Sequence, residues 1–78
     1  MAGRSSTIYV YLLNEGTDVW RPVEAEHVGE DRYKIVSVNA DPEDESWQFQ
    51  GGAIVRCRQQ RLSGGECLVA YELVCHPL

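Results

Sequence analysis

The sequence predicts a small all-β domain, and three observations lead to this fold class. Apolar and polar residues alternate over short runs, which is the two-residue period of a half-buried strand. Clusters rich in Gly, Asn and Asp separate these runs at intervals of about eight to twelve residues. No stretch carries the apolar stripe of a helix, so no substantial helix is expected. Because an open sheet would leave two long edges, we predict a five-stranded SH3-like barrel with meander topology.

The predicted strands span residues 7–13, 19–28, 31–38, 53–62 and 67–74. The first strand is dense in β-branched and aromatic residues. Its two faces are the alternating sets Ile8, Val10, Leu12 and Tyr9, Tyr11, Leu13. Because both faces are apolar or amphipathic, we expect a loop or a partner to cover the second face, and a homodimer is one such arrangement.

The second strand contains Pro22, which removes one donor from the ladder and must lie at an edge or a bulge. Val23 and Ala25 share one face by simple alternation, which puts Trp20 on the other. A bulge at Pro22 would change this phase and turn Trp20 inward. We favour the bulge, since an exposed Trp is an uncommon use of so much apolar area.

The chain length of 78 residues is enough for one domain, residues 1–78, with residues 1–6 and 75–78 expected to be flexible tails. No apolar run approaches the ~20 residues needed to cross a bilayer. The first residues are polar and contain no apolar signal core, so the sequence predicts a cytoplasmic protein.

The three cysteines, Cys57, Cys67 and Cys75, are an odd number, which is typical of free thiols in a reducing compartment. Cys57 and Cys67 could face each other across a hairpin as a packed pair of small apolar groups. With His27 and His76 they are the candidate soft metal ligands, but no closely spaced pair forms a zinc knuckle. We therefore predict no metal and no cofactor.

Two arrangements could suggest catalysis, and neither is convincing. Cys75 beside His76 lies in a predicted tail, where nothing holds a base against a nucleophile. Glu24 and Glu26 share one face of a strand about 7 Å apart, as any solvent face would place them. The sequence therefore predicts a protein that is not an enzyme.

The net charge of −5 and the pI of about 4.8 oppose general binding to nucleic acid and to anionic lipid. Arg56, Arg58 and Arg61 are a local exception on one predicted hairpin arm. With Tyr residues alongside, they could form a surface that stacks and neutralises single-stranded nucleic acid. This is the alternative function, and the acidic composition argues against it.

An acidic run followed by aromatic residues is the strongest candidate binding surface. It comprises Asp41, Glu43, Asp44, Glu45 and Trp47, with Tyr9 and Tyr11 as neighbours. In peptide-binding barrels, surface rings hold a polyproline-type ligand and an acidic loop selects a basic residue in it. The alternative is that Trp47 and Phe49, two residues apart, simply close one end of the barrel.

Three blocks of sequence carry a resemblance to a known group: Val19-Trp20-Arg21-Pro22-Val23, Tyr33-x-Ile35 and Glu45-x-Trp47-x-Phe49. Together they resemble a group of short, uncharacterised bacterial proteins, and the similarity covers most of residues 7–74. The resemblance implies a small β-barrel and brings no established activity.

These observations together predict a non-catalytic barrel that binds another protein. Its role would be that of an interaction module, an accessory subunit or an inhibitor. The residues themselves name no partner.

Overall fold

Six β-strands form the regular secondary structure of the residues that the structure describes. This computed structural model describes residues 5–37, 45–62 and 64–75. The strands are β1 (Ser5–Leu13), β2 (Trp20–Gly29), β3 (Arg32–Ile35), β4 (Ser46–Trp47), β5 (Ile54–Leu62) and β6 (Gly65–Cys75). The all-β prediction is confirmed for these residues. The count of five strands was wrong, because the segment after the acidic run adds the short strand β4.

The order of strand pairing places β1, β2, β3, β5 and β6 in a closed cycle. Neighbours along this series pair antiparallel, and β6 returns to lie beside β1. Since the direction reverses at each step, the first and fifth strands run the same way, and the closing pair is parallel. The cycle gives each of these strands a neighbour on both sides over part of its length, which an open sheet could not do.

One face of this sheet, the inner face, carries the hydrophobic core. In β1, Ile8 and Val10 are 0% exposed, and they alternate with residues that point outward. The other core residues are Leu12, Val23, Ala25, Ile35, Trp47, Phe49, Ala53, Val55, Cys57 and Ala70. Full burial of each large aliphatic side chain stabilises the fold by about 1.5–3 kcal/mol. The alternation seen in the sequence of β1 therefore separates the core from the outer surface.

Pro22 does not produce a bulge. The register between β1 and β2 runs unbroken through Pro22 to the pair of Tyr11 with Trp20. The register shift in β2 instead lies between His27 and Gly29. The predicted bulge was therefore wrong, and Trp20 keeps the phase of simple alternation, on the outer face beside Tyr11.

The position of Pro22 at a strand edge explains why it is tolerated. On one side Pro22 pairs with Tyr9 of β1, but the pairing of β2 with β3 begins only at Ala25. No β3 residue is therefore in register with Pro22, and the missing N–H interrupts no ladder on that side.

The ends of the described chain lie in strands. β1 begins at Ser5 and β6 ends at Cys75, so Ser5, Ser6 and Cys75 are paired although the sequence placed them in the tails. The rest of the predicted tails, residues 1–4 and 76–78, lies outside the described residues. Within the described ranges, no helix is long and apolar enough to span a bilayer.

Candidate functional site

The outer side of the sheet carries four aromatic side chains, Tyr9, Tyr11, Trp20 and Tyr71, which we call the aromatic face. Tyr9 and Tyr11 alternate with the core residues of β1 and are half-buried. The rings of Tyr11 and Trp20 meet edge to face, with their centroids 5.2 Å apart and an angle of 71° between planes. This is a preferred geometry for aromatic pairs, and it orders both rings at the surface.

Val69 forms the floor of the aromatic face. It pairs with Tyr9 of β1 on one side and with Arg58 of β5 on the other. Arg58 alternates with the buried Cys57, so Val69 shares its outward direction. Val69 is nevertheless only 1% exposed and does not belong to the core cluster. Side chains of the outer surface therefore cover Val69, although it lies outside the core cluster.

Asp18, in the connection between β1 and β2, is held at the border of the aromatic face. The Tyr11 hydroxyl donates a hydrogen bond of 2.9 Å to its Oδ1. That bond, desolvation and the Asp18 charge, in this order, raise the pKa of Tyr11. The connection turns sharply at Asn14 and Gly16, with φ of 62° and 81°. A carboxylate is thus positioned beside two aromatic rings.

Two open depressions flank Trp20 and Asp18, which line both of them. The apolar depression, about 370 Å³, is also lined by Tyr9, Val19, Leu62 and Cys67. The polar depression, about 330 Å³, is also lined by Tyr11, Gln48, Arg58, Gln60 and Tyr71. Together they form a surface with aromatic rings along its middle and different chemistry at its two ends.

The three arginines predicted to form a basic stripe are separated. Arg56 Nε lies 3.7 Å from Glu72 Oε1 in an ion pair. The Arg58 guanidinium stacks on Tyr71, 5.0 Å from the ring centroid. Arg61 lies an odd number of residues from Arg58 on β5, so alternation places it on the opposite face. The strand therefore presents no continuous row of three cations.

The acidic run with Trp47 does not form the predicted exposed surface. Trp47 is 6% exposed and belongs to the core, as does Phe49. The structure therefore supports the alternative interpretation, in which these two rings close the interior. The prediction that Trp47 is a ligand-binding ring at the surface was wrong. Of the acidic residues in the predicted site, Asp41, Glu43 and Asp44 lie outside the described residues.

Glu45, the last acid of that run, connects the core to the surface. Its carboxylate accepts hydrogen bonds from Trp47 Nε1 at 3.0 Å and Arg21 Nε at 3.1 Å, and it forms an ion pair with Arg21. The Arg21 hydrogen bond, followed by that of Trp47, lowers the pKa of Glu45. Glu45 therefore orients the Trp47 indole.

The cysteines do not assemble into a reactive or metal-binding group. Cys57 pairs with Ala70 while Cys67 pairs with Gln60, so the predicted packed pair of thiols was wrong. Burial, with a smaller effect of the Asp31 charge, raises the pKa of Cys57 to about 12. A thiol so hard to ionise is a poor nucleophile. Within residues 5–37, 45–62 and 64–75, no three metal-ligating side chains cluster.

Sequence reasoning identified Tyr9 and Tyr11 but missed Asp18 and Tyr71 as their neighbours. Tyr71 is the extra residue of a bulge in β6, where the register shifts between Arg56 and Cys57. No turn residue in the sequence marks this bulge. The spacing of Tyr11 and Asp18 around a Gly-containing turn is a signal that could have indicated their contact.

No family model matches this chain, and no curated protein or solved structure is significantly similar to it. The similarity of the Trp20-Arg21-Pro22 block to short bacterial proteins stays a prediction. Fold and site define the class: a small all-β domain with an aromatic outer face.

Proposed function

We propose that this protein is a non-catalytic protein-interaction module, built as an SH3-like barrel, that binds an extended segment of a partner across its aromatic face. The observation that carries the proposal is the ordered pair of Tyr11 and Trp20 with an open depression on each side. Polyproline-type segments suit such surfaces, because their preformed backbone loses little entropy on binding and prolines pack between rings.

The closed cycle of pairings supports the barrel part of the proposal. Five long or medium strands follow one another as a meander and close through the parallel pair of β1 and β6. In this architecture β4 is an addition to the end of β1, through the pair of Leu12 with Trp47. The SH3-like barrel therefore accounts for every pairing among the described strands except this short one.

The acid that borders the proposed surface is Asp18. The sequence pointed to Asp41, Glu43, Asp44 and Glu45, but Glu45 is engaged by Arg21 and Trp47. Asp18 reaches the aromatic face directly through the Tyr11 hydroxyl. The proposed surface keeps Tyr9 and Tyr11 from the sequence prediction and replaces Trp47 by Trp20.

Binding of single-stranded nucleic acid is the weaker alternative. It needs several cations to displace counterions along the phosphate backbone. The net charge is −5, the charge of Arg56 is offset by Glu72, and Arg61 faces away from Arg58. Stacking of Arg58 on Tyr71 alone does not make a track for phosphates.

A titration followed by nuclear magnetic resonance tests the proposal. The probe is a blocked proline decapeptide, added to about 1 mM because weak modules bind in the micromolar to millimolar range. We expect amide and indole shifts to cluster at Tyr9, Tyr11 and Trp20. Trp20→Ala should remove them, whereas Val28→Ala, a change at an exposed apolar residue outside both depressions, should not.

Three results would contradict the proposal. The first is that the peptide causes no shifts in the wild-type protein, and the second is that the shifts map away from the aromatic face. The third is that a short oligothymidylate at low salt causes the shifts and the peptide does not. Sedimentation of the same samples detects a second copy of the chain, and a dimer that covers Trp20 would also contradict peptide binding there.

A further inference from the structure

We infer that the partner segment carries a side-chain carboxylate, from Asp or Glu, that binds Arg58 in the polar depression. The inference rests on the proposed function, since it assigns the ligand chemistry of the same surface. It differs from the sequence expectation, in which an acidic loop selects a basic residue.

The first argument is the orientation of Arg58. Its guanidinium lies 5.0 Å from the centroid of the Tyr71 ring. Stacking uses the flat face of a guanidinium and leaves the N–H groups on its edge for hydrogen bonds. The N–H groups of a guanidinium held in this way can donate two parallel hydrogen bonds to one carboxylate, an arrangement called a fork. Because the side chain is already positioned, it loses little entropy on binding.

The second argument concerns internal partners. Within the described part of the chain, the ion pairs join Arg21 with Glu45 and Arg56 with Glu72. Arg58 is in neither pair, although it lies on the same face of β5 as Arg56. A ligand carboxylate would therefore not have to displace an internal ion pair at Arg58.

The third argument is the composition of the polar depression. Gln48 and Gln60 line it beside Arg58, and their amide groups can donate further hydrogen bonds to a carboxylate. The buried Val69 lines the same depression and gives it an apolar floor, beside which a charge-assisted hydrogen bond is stronger than in bulk water.

Asp18 also lines this depression, and its carboxylate would favour a cation. The hydrogen bond that its Oδ1 accepts from the Tyr11 hydroxyl holds this carboxylate in place but leaves its negative charge. The net charge of −5 repels an acidic ligand only at long range, where salt screens charges beyond about 8–10 Å. In this inference the two hydrogen bonds of the Arg58 fork, with Gln48 and Gln60 beside it, outweigh the charge of Asp18 and decide which charge is bound. An apolar residue in the other depression would set the direction of the segment.

Three blocked peptides test the inference. They share one proline-rich sequence and differ only at a central position, which is Glu, Gln or Lys. We expect the Glu peptide to bind about tenfold more tightly than the Gln peptide, as one charge-assisted fork allows, and the Lys peptide to bind most weakly.

Two arginine variants locate the effect. Arg58→Gln should abolish the preference for Glu over Gln. Arg56→Gln is the matched control, two residues away on the same face, and should keep the preference. Arg58→Lys should retain only part of it, because an ammonium lacks the planar fork.

The outcomes separate this inference from the proposed function. Equal binding of Glu and Gln peptides, tightest binding of the Lys peptide, or a preference that survives Arg58→Gln would overturn the inference alone. A fourth peptide, the Gln peptide with a free C-terminus, is the control for a terminal carboxylate. If it binds best, a chain terminus supplies the carboxylate, which also overturns the inference. No shift at Trp20 with any peptide would overturn the proposed function.

Discussion

The two tryptophans of this protein lie on opposite sides of the same sheet, although their partners are adjacent in the chain. Trp47 pairs with Leu12 and lies in the core, while Trp20 pairs with Tyr11 and is half-buried outside. Because successive residues of a strand face opposite ways, the phase of β1 decides which ring is structural and which is available. The identity of the residue alone does not decide it.

The hydrophobic core and the aromatic face also differ in chemistry. The core is apolar throughout, and no polar or charged residue is buried among the described residues. The aromatic face combines rings with the carboxylate of Asp18 and the guanidinium of Arg58. A dry apolar interior provides stability, whereas rings bordered by charges provide selective contacts.

Removal of each tryptophan side chain is the strongest test of this difference. Trp47→Ala should destabilise the fold by about 3–5 kcal/mol, as is typical when a buried large ring is removed. That is a large share of the total stability of so small a domain, so the variant should be largely unfolded. Trp20→Ala should cost about 1 kcal/mol, because the ring is only half-buried. Urea unfolding followed by circular dichroism measures both, and equal losses would show that the aromatic face is as structural as the core.

Two valines of almost equal burial allow a finer comparison. Val10 faces the core and Val69 lies under the aromatic face, at 0% and 1% exposure. Val10→Thr should destabilise by about 2 kcal/mol, since the new hydroxyl has no partner in an apolar interior. Val69→Thr should cost about half as much, because polar side chains that line the same depression, such as Gln60, can pair with the new hydroxyl. The same unfolding measurement applies, and a larger loss for Val69→Thr would show that no polar group pairs with the hydroxyl under the aromatic face.

Glu45 connects the core residue Trp47 to Arg21 at the surface, and its effect is the smallest. Its pKa is lowered in the folded state by Arg21 and Trp47. Its contribution to stability is therefore complete above the unfolded pKa of about 4.3 and is lost as pH falls through the lower folded value. Glu45→Gln should unfold at slightly lower urea concentration than wild type at pH 7, and the difference should vanish in strong acid. A difference that grew on acidification would contradict this sign.

Much of the fold could be predicted because alternation is a local property. The sequence of β1 correctly separated Ile8 and Val10 from Tyr9 and Tyr11, and the alternation in β2 paired Val23 with Ala25. The errors arose where a choice depended on distant chain segments. The sequence allowed Pro22 to lie either at a strand edge or at a bulge. The pairing of β3 with β2, which begins only at Ala25, decided for the edge.

The candidate site was predicted only in part for the same reason. The sequence placed Tyr9 and Tyr11 on one face but offered Trp47, two residues after Glu45, as their neighbour. In the structure the short strand β4 carries Trp47 into the core, and Trp20 takes the outer position.

By itself, the sequence determined that the described chain is all-β and which neighbours along β1 share a face, since both follow from the two-residue period of a strand. Only the tertiary structure decided which face is inside and which distant residues meet outside it. Arg58, Tyr71 and Asp18 come from three separate segments. The bulge at Tyr71 and the pairings of β6 with β5 and with β1 bring them to one surface. Such pairing depends on contacts between distant strands, which no local pattern specifies.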